Sequence, residues 1–528
     1  MSTFMKSLLV LGLFWGCGRA EIRSAVIDKG SGKLTVVEGY HEGFVAWANF
    51  TNDIETSGWS FLEITTKLIY KHWMNTLMGY CGPFVSDSSY CERLKAFIKA
   101  NLEWMQEQIE KQPTSPYWYQ AHLVLLQLKG LEDGYNDQLS FPTGHFSINP
   151  MGFILFQMGG DIEDLESALN KSSQTRPLGS GSCSALIKLL PNNKDLFVSH
   201  DTWNTYQAML RIMKKYRFAF KASSSGNDPL PGGTQAFSSY PGAIFSGDDF
   251  YILSSGLVTL ETTIGNSNST LWKFVQPTGT VMEWLRNIVA NRLATTAKEW
   301  AEIFRKYNSG TYNNQWMIVN YNHFTPGKTD IKEDLFVVLE QIPGLVVYSD
   351  KTQELLRNGY WASFNIPYYE EIFNASGCNE LVEKFGPWFS LDQNPRAQIF
   401  RRNQTQVTDL DSMIRLMRYN NFKEDPLSMC EGCNPPQNGE NAISARSDLN
   451  PANGTYPFGA LKQRSHGGTD MKMTSFGMFK EYGMIAVSGP TWDQLPPFQW
   501  STSPYKDLVH MGHPDVWNFK PIKVTWTP

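Results

Sequence analysis

The period of apolar and polar positions changes several times along this chain, and each change marks an element. Around "KLTVVEG" (33–39) and "GFVAWANFT" (43–51) the alternation is that of strands, and Tyr40, His41 and Glu42 between them predict a hairpin. From Ser88 the period lengthens. Tyr90, Leu94, Phe97, Leu102, Met105 and Ile109 recur at helical spacing and predict an amphipathic helix ending before Pro113, followed by a second helix from Tyr117 to Gly130. Between Gly159 and Ser182 the pattern fades into "GGDIEDLESALNKSSQTRPLGSGS", which reads as an exposed segment open to nicking.

The strand pattern resumes at Cys183. "CSALIKLL" and "LFVSHDTW" flank the turn-rich "PNNKD", which predicts a β-hairpin over 183–203; a turn near Asn193 returns His200 to Trp203 beside Cys183. Further on, Val281, Trp284, Leu285, Ile288, Trp300 and Phe304 share one face of a helix expected to run unbroken from Val281 to Asn308. Thr280 and Glu283 would form its capping box and Gly310 its stop. Strands and long helices are mixed, with no internal repeat and no Pro/Gly linker between self-sufficient halves. The expected class is α+β or layered α/β, in one compact body.

Composition narrows the functional classes. The 528 residues are 41% hydrophobic, enough for a large core, and a formal charge of -5 without runs of like charge offers nothing to nucleic acid or to a polybasic membrane contact. Residues 1–20 read as a signal peptide: Lys6, a short apolar run from Leu8 to Cys17, and a small-x-small cleavage site at Gly18-Arg19-Ala20. That run is about half the roughly twenty residues a spanning helix needs, so the mature chain is expected to start near Glu21 and to carry no transmembrane segment. Entry into the secretory route permits glycosylation at the sequons of Asn49, Asn170, Asn268, Asn374, Asn403 and Asn453, and it permits disulfides.

Once Cys17 leaves with the signal, six cysteines remain. Cys81 and Cys91 flank a Gly-Pro loop that suits a local disulfide. Cys430 and Cys433 form a C-x-x-C open to three readings: a tight disulfide, a redox pair, or half a zinc site. No second ligand pair lies nearby, which places metal behind disulfide, and no metal or cofactor is expected. Cys183 and Cys378 can pair with each other, or one of them is a working thiol.

Several hydrolase chemistries are missing from the sequence. There is no G-x-S-x-G, no papain-type cysteine motif and no H-E-x-x-H. What does fit is a cysteine at the first residue of a strand, after a flexible segment. Cleavage between Ser182 and Cys183 would give Cys183 a free α-amine, with a pKa of about 7.7–8.0, to serve as its own base. The thiol can make the cut itself by attacking the Ser182 carbonyl, and Gly181 and Ser182 leave room for the attack.

"SCSALIKLLPNNKDLFVSHDTWNTY", "SSGLVTLETTIG", "SGTYNNQWMIVNY", "GYWASFNIPYY", "PRAQIFRR" and "HGGTDMK" together resemble the phospholipase B-like family, and "FILFQMGGDIEDL" with the Cys81/Cys91 loop extends the likeness over nearly the whole chain. The resemblance implies an α+β fold of the N-terminal nucleophile hydrolase type, a four-layer αββα sandwich. It also implies maturation into chains 21–182 and 183–528 that stay associated, lysosomal residence with secretion, and removal of fatty acids from glycerophospholipids or another acylated small molecule. Carried over by position, Cys183 is the nucleophile, His200 an orienting residue and Trp203 part of the pocket, while Thr262 belongs to strands around the site. Asn314 is assigned to the oxyanion hole for its amide donor, and Arg446 to substrate contact. An N-acyl amidase and a non-catalytic glycoprotein with a hydrolase-like fold are the alternatives. A homo-oligomer stays open.

Overall fold

The structure is a computed structural model and describes residues 21–27, 34–38, 46–53, 59–61, 66–81, 88–136, 147–172, 177–331 and 333–526, with side chains from residue 68 onward. The expected signal peptide lies outside the described residues, and the side chain of Asn49 is not among those described.

The strands of the amino-terminal part are β1 (Glu21–Ile27), β2 (Leu34–Glu38), β3 (Ala46–Asp53) and β4 (Trp59–Phe61). After them come β5 (Cys183–Leu189), β6 (Leu196–Thr205), β7 (Ile212–Arg217), β8 (Thr234–Ser239), β9 (Phe250–Leu253) and β10 (Leu257–Thr263). The remainder are β11 (Asn314–Asn320), β12 (Phe336–Ile342), β13 (Leu345–Asp350), β14 (Tyr360–Ser363), β15 (His466–Gly468), β16 (Asp470–Ser475), β17 (Met484–Ser488), β18 (Phe498–Gln499), β19 (Val516–Trp517) and β20 (Ile522–Val524). One sheet of eleven strands runs β13-β12-β11-β10-β9-β8-β7-β4-β3-β1-β2; the other runs β14-β5-β6-β16-β17-β20, with β15 also on β6. Pairing is antiparallel except between β4 and β7. The amino-terminal hairpin is not formed as expected: β2 and β3 each pair with β1, which lies between them.

Three apolar clusters set the layers. Ala185, Ile187 and Val198 of the second sheet interlock with Met213, Ile252 and Leu260 of the first, so the two sheets pack face to face. The outer face of the first sheet carries Phe237, Tyr251, Trp316 and Ile318 under a layer of helices: α1 (Thr66–Thr76), α2 (Ser88–Lys111), α3 (Pro116–Tyr135), α4 (Gly159–Ala168), α5 (Glu283–Leu293) and α6 (Ala297–Phe304). On the far side, Leu186, Phe197 and Met471 pack against α7 (Pro395–Asn403) and α8 (Leu410–Met417). This is the four-layer αββα sandwich. Every residue of β5 is buried, one face against the opposite sheet and the other, with Ser184, Leu186 and Lys188, under helices.

Two local expectations change. The segment from Gly159 is not exposed throughout, because Ile162 and Leu165 reach the core and wind 159–168 into α4, with Asp161 and Glu166 buried as well. The helix expected over 281–308 is two helices. Thr296 accepts from the Glu299 N–H at 3.1 Å and Thr295 donates to the Glu299 carboxylate, so α6 begins with its own cap after a break at Ala294. Thr280 does not cap α5. Its hydroxyl donates to the Gln276 carbonyl, and the Glu283 N–H donates to Asp161 of α4 instead.

Candidate functional site

Hairpin β5–β6 closes through a turn at Pro191–Asn193, where Asn192 and Asn193 take left-handed φ of 58° and 51°. Its register sets Cys183 opposite Thr202 and Ala185 opposite His200. The predicted return of the second strand to Cys183 is therefore present. Cys183 sits on a cavity of about 570 Å³, which Ser182, Thr202, Trp203, Thr263 and Tyr312 also line. Helix α1 contributes His72 and Asn75, and α4 contributes Gly160 and Ile162.

The segment before Cys183 is held, not loose. Leu178 is exposed, but Ser180 and Gly181 are buried and Ser182 is half-buried. A side chain on Gly181 would meet the Trp203 ring at 2.7 Å, so the close passage of the chain over Trp203 requires glycine there. The Ser182 carbonyl accepts from the Trp203 N–H at 2.5 Å, and the Ser182 N–H donates to Asn365 Oδ1 at 3.3 Å. Asn365 follows β14 with φ of 68° and donates from Nδ2 to the Thr263 carbonyl at 2.7 Å. On the next residue, Arg396 of α7 donates to the Cys183 carbonyl at 2.7 Å and to the Phe364 carbonyl at 2.6 Å, while its guanidinium stacks 4.3 Å over the Trp203 ring. The backbone on both sides of the Ser182–Cys183 bond is thus clamped by a side chain or a strand.

Electrostatics keep the Cys183 thiol protonated in the intact chain. Burial pushes it well above its ordinary range, Glu261 and Asp249 push the same way, and Lys472 with the Trp203 N–H opposes them. Lys472 donates to Thr202 Oγ1 at 2.6 Å and to both oxygens of Asp470, and Arg211 also donates to Asp470 at 2.7 Å. Burial would raise the Asp470 carboxyl, but Arg211 and Lys472 hold it well below the usual carboxylate range. A fixed cation is therefore one hydroxyl away from the residue facing Cys183.

The other expected site residues lie elsewhere. His200 is fully buried; its Nε2 donates to the Glu261 carbonyl at 2.8 Å, tying β6 to β10 across the two sheets, and burial with Lys472 nearby holds it neutral. Thr262 shares a 2.6 Å hydrogen bond with Ser363, a second strut between the sheets, and its neighbour Thr263 is the one that lines the cavity. Asn314 pairs with Thr263 but shares its face with Trp316 and Ile318, under the helices, and does not line the cavity. Arg446 is buried on Asp448, bidentate at 2.8 and 2.9 Å, with the carbonyls of Thr491 and Pro496 taking its remaining donors. The disulfides Cys81–Cys91 and Cys430–Cys433 are formed, and Cys183 and Cys378 are both free and buried, not joined to each other. Among the described sequons Asn170, Asn374 and Asn453 are exposed, while Asn268 and Asn403 are half-buried.

Sequence reasoning missed Asn365, Arg396, Tyr312 and Lys472 as site residues. All four lie inside stretches that carry the family likeness, yet they are between 129 and 289 positions from Cys183, and only the fold shows that they meet it. Among the described residues there is no cluster of side chains that could hold a metal ion, and no helix long and apolar enough to cross a membrane.

The site is thus a free thiol on the leading strand of an αββα sandwich, clamped at its own peptide bond and opening on a pocket. The chain belongs to the phospholipase B family, whose model matches residues 63–524. It is 60% identical to a phospholipase B-like 2 protein of Homo sapiens over 96% of this chain and 90% of that one, and 43% identical to a phospholipase B-like 1 protein of Caenorhabditis elegans over 91% and 87%. Among solved structures, a mutant conjugated bile acid hydrolase from Clostridium perfringens aligns with 65% of this chain and 97% of its own, at 8% identity and a TM-score of 0.32.

Proposed function

We propose that the protein is a cysteine acyl hydrolase that activates itself by cutting the Ser182–Cys183 bond, and that the exposed Cys183 then removes fatty acids from glycerophospholipids. One observation carries the reading. The Ser182 carbonyl rests on the Trp203 N–H at the mouth of the cavity, at 2.5 Å, where the adjacent thiol can reach its carbon. In the cut, sulfur bonds to that carbon, the Trp203 N–H stabilises the oxyanion, and the peptide nitrogen leaves with a proton as the Cys183 amine. Water then frees the Ser182 carboxylate from the thioester.

Departure of Ser182 vacates the place its carbonyl held. An acyl carbonyl entering there meets the same Trp203 donor, and the new α-amine takes the thiol proton and later activates water. Leu77, Leu155, Phe156, Ile162 and Phe245 supply an apolar wall for the acyl chain. Arg396 and Trp203 hold the new terminus in place. On this reading residues 1–20 are a signal peptide, 21–182 and 183–528 are the two associated chains, and the protein is a glycoprotein of the lysosome, with secretion left open.

Sequencing the amino termini of the purified mature protein tests this. A chain beginning at Cys183 is expected, and Cys183→Ala is expected to remain a single chain without acyl-hydrolase activity; cleavage or activity retained in that variant removes Cys183 from the mechanism. A second reading, N-acyl amidase, has one observation in its favour: the first bond broken is itself an amide. Turnover of a phosphatidylcholine and an N-acylethanolamine side by side decides between them, and turnover of neither supports a binding role.

A further inference from the structure

Behind the nucleophile lies a group of three oxygens that the hydrolysis as described does not use. Tyr312 donates its hydroxyl to Asp249 Oδ2 at 2.6 Å and lies 3.2 Å from Glu261 Oε1. Asp249 and Glu261 are both fully buried, and the Glu261 N–H donates to the Asp249 carbonyl, which pins the two residues together at the joint of β9 and β10. The arrangement is built at some cost in backbone conformation. Asp249 and Tyr312 both take left-handed φ, 50° and 49°, and the first turn of α4 has Gly160 where any Cβ would run into the Tyr312 ring. Tyr312 lines the same cavity as Cys183.

Counting protons defines its state. A phenol has one proton to give, and the shorter contact, to Asp249, has the length of a hydroxyl donating to a carboxylate. Asp249 and Glu261 also meet each other directly, carboxyl to carboxyl, and that contact needs a proton between them. We propose that Glu261, Tyr312 and Asp249 form a positioning group in which the two carboxyls share one proton and carry a single negative charge between them, which lowers the charge facing Cys183 so that the thiol can ionise. One charge in place of two accords with Asp249, whose carboxyl is pushed well above the usual range by burial and then by Glu261.

The other titratable groups facing the trio are few. Cys183 and Lys472 face it from the second sheet, Tyr251 from β9, and Glu283 from α5, where Asp161 and Arg286 adjoin Glu283. Lys472 is the cation in that set that acts on the thiol, and one charge in place of two opposes it less.

This inference rests on the nucleophile assigned above for its consequence, and its test reads the charge directly. The probe is iodoacetamide, applied from pH 5 to pH 10 to equally processed samples of the full protein, with modification of Cys183 followed by peptide mass. Glu261→Gln leaves the one charge on Asp249 and Asp249→Asn leaves it on Glu261, so both pH midpoints are expected to match that of the unaltered protein. The two substitutions together remove the charge, and the midpoint is expected to fall by about one unit, a tenfold faster reaction at a fixed pH below it. A lowered midpoint in either single variant means that the charge is not shared, and an unmoved midpoint in the double variant means that there is none; each of these overturns the proposal. If the double variant does not fold, a lowered midpoint in either single variant overturns it alone. Cleavage that persists in Cys183→Ala defeats the proposed function without touching this pattern.

Discussion

Arg396 shows what a single side chain contributes at the site. It is buried, its two terminal nitrogens hold the carbonyls of Cys183 and Phe364, and its plane covers Trp203. Burial brings the guanidinium down to about 10, so it stays charged at any physiological pH. Arg396→Gln is expected to destabilise the protein by about 2–6 kcal/mol, at about 1–3 for each buried carbonyl left unpaired, and to slow the Ser182–Cys183 cut about a hundredfold. Denaturant melts and the time course of chain separation on gels measure the two effects, and a variant that cuts at the normal rate would show that the clamp on Cys183 is dispensable. Gly181 belongs to the same scale: Gly181→Val drives a side chain into the Trp203 ring and is expected to lift the Ser182 carbonyl off its donor, leaving the chain uncut.

At the scale of elements, the hairpin β5–β6 carries the chemistry because its first residue is the nucleophile and its returning strand supplies the donor for the bond to be cut. The hairpin and the return of its second strand to Cys183 were readable from "PNNKD" between two apolar runs, since turn residues and alternation fix a two-stranded unit locally, while the exact register came from the structure. The break between α5 and α6 was also written in the chain, as Thr296 three residues before Glu299, but the apolar face continues across it and periodicity alone passes over the cap. Thr296→Ala is expected to cost about 1 kcal/mol, measured by denaturant melts, with catalysis unchanged because α6 does not reach the cavity. The start of α5 is the opposite case. Its amide is satisfied by Asp161, 122 positions away, so no local motif could have announced it.

The whole molecule is tuned toward mild acid by what it buries. Asp161, Asp201, Asp249 and Glu283 are raised by burial first, and Glu340 is pushed up to about 7 in the same way. A carboxyl raised in the folded state gives stability that is complete below its unfolded value of about 4 and is lost as pH climbs through the folded value. Histidines act in the other direction: His72 and His513 are both lowered to about 3 by burial, so their contribution is present above an unfolded value of about 6.5 and is lost as pH falls toward 3. The two sets leave a window, and melting temperature is expected to peak between about pH 4 and pH 6.5. A scanning-fluorimetry series in which it rises steadily to pH 8 would show that these groups do not control stability.

By itself the chain determined the elements whose signals are local: a helix from Ser88 that ends before Pro113, a second one from Tyr117, the hairpin over 183–203, the Cys81–Cys91 bond, and the cysteine at the first residue of a strand, while the C-x-x-C of Cys430 and Cys433 stayed open among three readings. Apolar period, turn residues and short loop closures act over a few positions, and one sequence contains them whole. Tertiary structure decided which groups stand around that cysteine. It moved His200 and Thr262 into struts between the sheets and Arg446 into a distant ion pair, and it brought Asn365, Arg396, Tyr312 and Lys472 to the site from four separate segments. Those contacts come from stacking two sheets between helices, and a buried polar group takes whichever partner the stack delivers, however far off in the chain, because leaving it unpaired costs more than any local preference can return.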